Sequence, residues 1–183
     1  MDIQELMGQI LSKDSVKNLS KVTNSSQKEV KNVLSSGLPS LIQGLTAQAN
    51  DENTAEGFAN ALNDHAKDST ADLKSFLSNV DLADGGKILS HLLGNQKEET
   101  TSQAASTAGV SSKKAGNILS AVAPLLLSLV GQQSGGQNTA SGVSSVIGNL
   151  VGNVDLGSVL SGLTGSQSNS GGLLSGLLGF FKK

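Results

Sequence analysis

The chain has 183 residues, 37% of them hydrophobic, a net charge of -2, a pI near 5.6 and a mean hydropathy of -0.06. That length suffices for a real core, but with no Trp, no Tyr and four Phe the core has to be built from Leu, Ile, Val and Ala. All thirteen basic residues are lysines and Cys is absent, which removes the guanidinium of base and phosphate readout, most of the stacking surface used on single strands, disulfides, and thiolate ligands and nucleophiles.

The N-terminus, Met1-Asp2-Ile3-Gln4-Glu5-Leu6-Met7, carries acid where a secretory signal carries base and has no long apolar run. The expected location is cytoplasmic. Leu6, Met7, Ile10 and Leu11 open the helical pattern. Ser26 with Glu29 reads as a capping box, heading a helix with Val30, Val33, Leu34 and Leu38 on one face. Pro39 lacks an amide hydrogen and is expected to begin a new helix carrying Leu41, Ile42 and Leu45.

Phe58, Ala61 and Leu62 follow at helical spacing, with His65 bordering their face. Asp64, Asp68 and Asp72 would line one stripe if that helix continued, a pattern more typical of a solvated face than of a metal site. Their spacing fits neither an EF-hand nor a paired-histidine zinc helix. Asp84 is the expected N-cap of a helix with Ile88, Leu89, Leu92 and Leu93, on which His91 sits at the border.

Ser111 starts a further helix without a reciprocal acid, with Ala115, Ile118, Leu119 and Val122 on its apolar face. Pro124 is again expected to open a new helix, and Leu125, Leu126, Leu127, Leu129 and Val130 make that segment apolar on nearly every side. Such a helix is either the buried centre of the fold or faces a partner. Its greasy run, Ala121 to Val130, is about half of the roughly 20 residues needed to span a bilayer. Val143, Val146, Ile147, Leu150 and Val151 form the next amphipathic pattern.

Residues 131–137 and 165–172 have the Gly/Ser composition of connectors. The tail holds Leu173, Leu174, Leu177, Leu178, Phe180 and Phe181 ahead of Lys182 and Lys183, a composition suited to an apolar groove or an anionic membrane surface. No stretch alternates as a strand would. The expected fold is therefore all-α.

The chain also repeats itself. A shift of 85 places Asn138-Thr139-Ala140-Ser141-Gly142 on Asn53-Thr54-Ala55-Glu56-Gly57, Pro124 on Pro39, and Asn117-Ile118-Leu119-Ser120 on Asn32-Val33-Leu34-Ser35. A second landmark, Asp84 to Gly94, returns in degenerate form as Asp155 to Gly165, and Asn79-Val80-Asp81-Leu82 returns as Asn153-Val154-Asp155-Leu156. These matches predict a multihelical array of two duplicated units, 1–83 and 84–154. A partial third-unit helix at 155–165 and a linker with an apolar helix at 166–183 would follow. The second unit lacks the stretch opposite residues 65–77.

Chemistry is sparse by comparison. None of the 22 glycines forms a dinucleotide, Walker or nucleophile-elbow motif, and the shift of 85 does not pair His65 with His91. No catalytic set, cofactor or metal site is expected. The leading functional reading is a non-enzymatic protein that self-associates through Pro124, Leu125, Leu126, Leu127, Leu129 and Val130. A membrane-associated protein using the Leu/Phe tail comes second, and nucleic-acid binding last.

Asp84-Gly85-Gly86-Lys87-Ile88-Leu89-Ser90-His91-Leu92-Leu93-Gly94, then Ala108-Gly109-Val110-Ser111, then Ala123-Pro124-Leu125, together resemble the YidB-like bacterial proteins of unknown function, over most of residues 1 to 131. That resemblance implies an all-helical, homeodomain-like arrangement with no assigned reaction or ligand. The first unit departs from the pattern, with Asn24-Ser25-Ser26 in place of Gly109-Val110-Ser111 and Gly37-Leu38-Pro39 in place of Val122-Ala123-Pro124.

Overall fold

The computed structural model describes residues 3–133, 135 and 138–152. The helix expected at 155–165 and the linker and apolar helix at 166–183 lie outside the described residues. Within them the chain forms α1 (Ile3–Ile10), α2 (Lys13–Val22), α3 (Gln27–Asn50), α4 (Ala55–Ala66) and α5 (Leu73–Ser78). After these come α6 (Leu82–Leu93), a 3-10 turn (Gly94–Gln96), α7 (Lys97–Ala108), α8 (Ser112–Gln133) and α9 (Ala140–Val151). No strand occurs among the described residues.

Local sequence explains most helix ends. Ser26 and Glu29 form the expected capping box: the Ser26 amide donates to Glu29 Oε2 at 2.6 Å and the Glu29 amide donates to Ser26 Oγ at 3.2 Å. At the start of α8 the Lys114 amide donates to Ser111 Oγ, and the Lys114 ammonium reaches across to Glu29 Oε1 at 3.2 Å. The missing reciprocal acid of α8 is thus a lysine that pairs with the capping acid of α3. Helix α7 ends on Gly109 at φ +68°, with the Val110 amide donating to the Ala105 carbonyl; α2 ends the same way through Asn24 at φ +50° and the Ser25 amide on Ser20. Both are left-handed caps that close the last turn, glycine in one and asparagine in the other.

Glu29 titrates below its ordinary 4.5, because the Ser26 amide, the Ser26 hydroxyl and Lys114 all favour the carboxylate. A depressed folded-state value stabilises the fold above about pH 4.5, and that contribution is lost as pH falls through the lower folded value. Glu29→Gln is expected to lower the urea midpoint at pH 7, with the gap to the parent narrowing only below about pH 4.5. A gap that persists unchanged at pH 3 would contradict this.

Two expectations about helix boundaries need correction. Pro39 and Pro124 open no new helix; each lies inside a continuous one, α3 and α8. The missing amide hydrogens deprive the Ser35 and Ser120 carbonyls of their i+4 donors, a defect costing about 3 kcal/mol in an isolated helix. Packing offsets it in α8, which touches every other helix of the described fold. The N-cap of α6 is Asp81, which accepts from the Ala83 and Asp84 amides, and Asp84 sits in the first turn instead. The local sequence offers two aspartates, and the extended backbone at position 81 decides between them.

At the centre, α6 crosses α8 so closely that a Cβ on Gly85 would collide with the Ser120 carbonyl and approach the Pro124 ring. The carbonyl that Pro124 leaves without its helical donor is therefore the one against which α6 lays its backbone. Two further glycines work alike: Gly44 of α3 abuts the Leu92 carbonyl, and Gly131 of α8 abuts the Leu62 carbonyl. Small side chains bring aliphatic helices close enough to fill a core that has no Trp or Tyr.

Helix α8 has both the length and the apolarity of a membrane span, with mean hydropathy 1.5 over its best 18-residue window, but 83% of that window is buried in this fold. Pro124, Leu125, Leu126, Leu127, Leu129 and Val130 all lie inside. Of the two expectations for this segment, the buried centre is what the fold contains.

Helices α3 and α8 begin 85 residues apart, as do α4 and α9. Helix α5 overlaps residues 65–77, the stretch for which the shift of 85 finds no match. Helix α3 packs against α7, and α4 against α8.

Candidate functional site

Two clefts stand out. The first, of about 400 Å³, lies where the segment after α4 meets α5 and the start of α6, and is lined by His65, Asp68, Phe76, Asp81, Asp84 and Pro124. Helix α4 ends at Ala66, so Asp64, Asp68 and Asp72 do not share the helical stripe that a longer helix would give them. Each has its own local task. Asp64 pairs with Lys67 at 3.2 Å, Asp72 caps α5 by accepting from the Lys74 and Ser75 amides, and Asp68 Oδ2 lies 2.9 Å from His65 Nδ1.

Asp68 Oδ2 also lies 3.2 Å from Ser128 Oγ, which is 2.9 Å from the Pro124 carbonyl. The Gln132 amide group donates to the Asp68 carbonyl, and the Thr70 hydroxyl donates to Gln132 Oε1. Ser, Asp and His thus come together, but the carboxylate stands between hydroxyl and imidazole. A nucleophilic serine needs the imidazole at its oxygen to take the proton, and Ser128 is moreover fully buried. The arrangement ties the segment after α4 to α8. Spacing along the chain gave no sign of Ser128, since it joins the cluster from 60 residues away.

Among the described residues no group of three or more His, Asp or Glu side chains is placed to hold a metal ion. Asp81, which also lines this cleft, already accepts two backbone amides as a helix cap.

The second cleft, of about 340 Å³, opens between the end of α3, α4 and α6, over α8. Its floor is apolar: Phe58, Leu92 and Leu127 are at least 93% buried, with Ala61 and Ile88 half-exposed beside them. Its rim is polar, carrying Gln48, Asn53, Thr54 and His91. Gln48 donates to the His91 backbone carbonyl at 2.9 Å, fixing the edge of the cleft. The imidazole of His91 is an exposed rim group. Only Leu127 of the segment proposed from sequence as an interface reaches this cleft, and Leu173, Leu174, Leu177, Leu178, Phe180 and Phe181 lie outside the described residues.

A polar knot holds the connection between α8 and α9. The Asn138 amide donates to Asn63 Oδ1 at 2.7 Å, and Asn63 Nδ2 returns a bond to the Asn138 carbonyl at 2.8 Å. Asn138 Nδ2 also donates to the Gly131 carbonyl. Asn138 is buried, and its bonds place α9 against α3 and α4.

No curated protein and no solved structure matches the chain, so the homeodomain-like arrangement stays an implication of the sequence resemblance. A family model does match, over residues 5–133, a span that runs from α1 to the last turn of α8 and contains the Gly85–Ser120–Pro124 crossing. The chain belongs to that family, the bacterial proteins of unknown function classed as domain of unknown function 937.

Proposed function

We propose that the protein is a non-enzymatic interaction module that assembles with further copies of itself, the cleft floored by Phe58, Leu92 and Leu127 receiving the Leu/Phe-rich C-terminal segment of a neighbouring copy. The observation that carries this reading is the cleft itself, an apolar floor with half-exposed Ala61 and Ile88 inside a polar rim. Aliphatic and aromatic side chains suit such a floor. Asp51, Glu52 and Glu56 stand exposed around the start of α4, next to the rim residues Asn53, Thr54 and Gly57. They complement Lys182 and Lys183, which follow Phe180 and Phe181 in the chain.

Light scattering coupled to gel filtration tests the proposal. The full chain is expected to run above monomer mass at tens of micromolar, and Ala61→Arg, on the wall of the cleft, is expected to return it to monomer with helicity unchanged. A strict monomer at every concentration would sink it. Co-sedimentation with anionic vesicles separates the membrane reading of the same tail: binding by the full chain that is lost in a chain ending at Gly165 would favour the bilayer over a second copy.

A further inference from the structure

The two longest described helices start side by side, and both start in lysine. Lys28 and Lys31 lie exposed in the first two turns of α3, Lys113 lies exposed in the first turn of α8, and the bond from Lys114 to Glu29 Oε1 at 3.2 Å holds the two starts together. Lys21, in the last turn of α2, is exposed one short turn ahead of α3. Glu29, the carboxylate among them, is already paired with Lys114. The other end of α3 carries the opposite sign. Asp51 is its C-cap, Glu52 follows, and Glu56 stands in the first turn of α4, all three exposed. Asp51 Oδ1 accepts from the Asn53 amide, a local turn that leaves its charge uncompensated. Apart from Lys114, none of these lysines and none of these three carboxylates forms an ion pair among the described residues.

We propose that copies of the protein associate head to tail, the lysine end of one against the Asp51, Glu52 and Glu56 end of the next. Within one chain the two groups cannot satisfy each other. The 24 residues of α3 set them roughly 36 Å apart at 1.5 Å per residue, which is several Debye lengths at physiological salt. Between chains they can meet, and each then supplies the charge that the other lacks. A second copy is also a better partner than a polyanion, to which a chain of net charge -2 offers no overall attraction.

The two joined surfaces differ, so the contact is heterologous. Every copy added leaves one lysine end and one acidic end free, and the association is open-ended instead of stopping at a dimer. Exposed ion pairs are individually weak and are screened by salt, so the contact belongs to low ionic strength and high protein concentration. It needs neither the apolar floor of the cleft nor the C-terminal segment, and shares with that assembly only the carboxylates beside the rim.

Sedimentation velocity of the full chain reads the contact. At about 20 mM salt the average mass is expected to climb past that of a dimer as concentration rises, and the apparent association constant to fall at least about tenfold on going to about 300 mM salt. Charge reversal then tests the pairing. Lys28→Glu, Lys31→Glu and Lys113→Glu together make a chain acidic at both ends, and Glu52→Lys with Glu56→Lys makes one with base in excess at both; all five positions are exposed, so helicity by circular dichroism is expected to be unchanged. Each variant alone is expected to lose the salt-sensitive association, and an equimolar mixture to regain it. A parent that stays monomeric at low salt, a parent mass indifferent to salt, or a mixture no larger than its separate components would overturn the proposal. Phe180→Ser with Phe181→Ser in the full chain distinguishes the cleft assembly, because it removes apolar anchors and no charge. A mass that falls with this pair and ignores both salt and the lysine reversal would refute the head-to-tail contact and leave the cleft reading standing, and the converse pattern would do the reverse. Co-sedimentation with vesicles of anionic phospholipid that the lysine reversal abolishes, with the free parent monomeric, would assign the lysine end to a membrane surface instead.

Discussion

Gly85→Ala is expected to destabilise the protein by about 2–4 kcal/mol, whereas the neighbouring Gly86→Ala is expected to stabilise it by as much as about 1 kcal/mol. In an isolated helix the two substitutions are equivalent, and both should help, since alanine restricts the unfolded chain and favours the helical state. The crossing with α8 separates them. A Cβ on Gly85 meets the Ser120 carbonyl, which belongs to the backbone and cannot rotate aside, whereas on Gly86 the nearest atom is Ser120 Oγ at 3.7 Å. Urea unfolding followed by circular dichroism measures both. Two stabilising substitutions, or two of equal cost, would show that the α6–α8 crossing is not as close as described.

Leu126→Asp is expected to abolish folding rather than to weaken assembly. Leu126 is fully buried in the helix that every other described helix touches. An unpaired carboxylate there loses its hydration and has no compensating partner. Even Leu126→Ala, which only removes the isopropyl group, is expected to cost about 2–5 kcal/mol, a large part of a total stability of about 5–15 kcal/mol. Thermal melts would show Leu126→Ala cooperative but shifted down by many degrees, with Leu126→Asp lacking a helical baseline at room temperature. A folded, monomeric Leu126→Asp protein would return this segment to the surface and restore it as an interface.

Much of this follows from particular residues. Helical spacing placed Val30, Val33, Leu34 and Leu38 on one buried face, and the Ser26–Glu29 box marked the start of α3 to the residue. The same local reading failed at Pro39 and Pro124, because a proline breaks a helix only when nothing outside holds the two segments in line. At Asp64, Asp68 and Asp72 the condition for a shared stripe, a helix running on past them, is not met: the end of α4 at Ala66 sends the three carboxylates to three different partners. Of the site, Phe58 and Ala61 were visible as one helical face. Ile88 and Leu127, from other helices, join them only in three dimensions.

The sequence by itself determined the all-helical class and the starts of α3 at Ser26 and of α8 at Ser111, since these depend on the spacing of a few residues. Tertiary structure alone decided that the greasiest helix lies at the centre and not at a boundary, and that Gly85 meets the carbonyl freed by Pro124. It also decided that Ser128 reaches Asp68. Apolar periodicity tells a helix which side must leave water, but only the packing of its neighbours determines what covers that side.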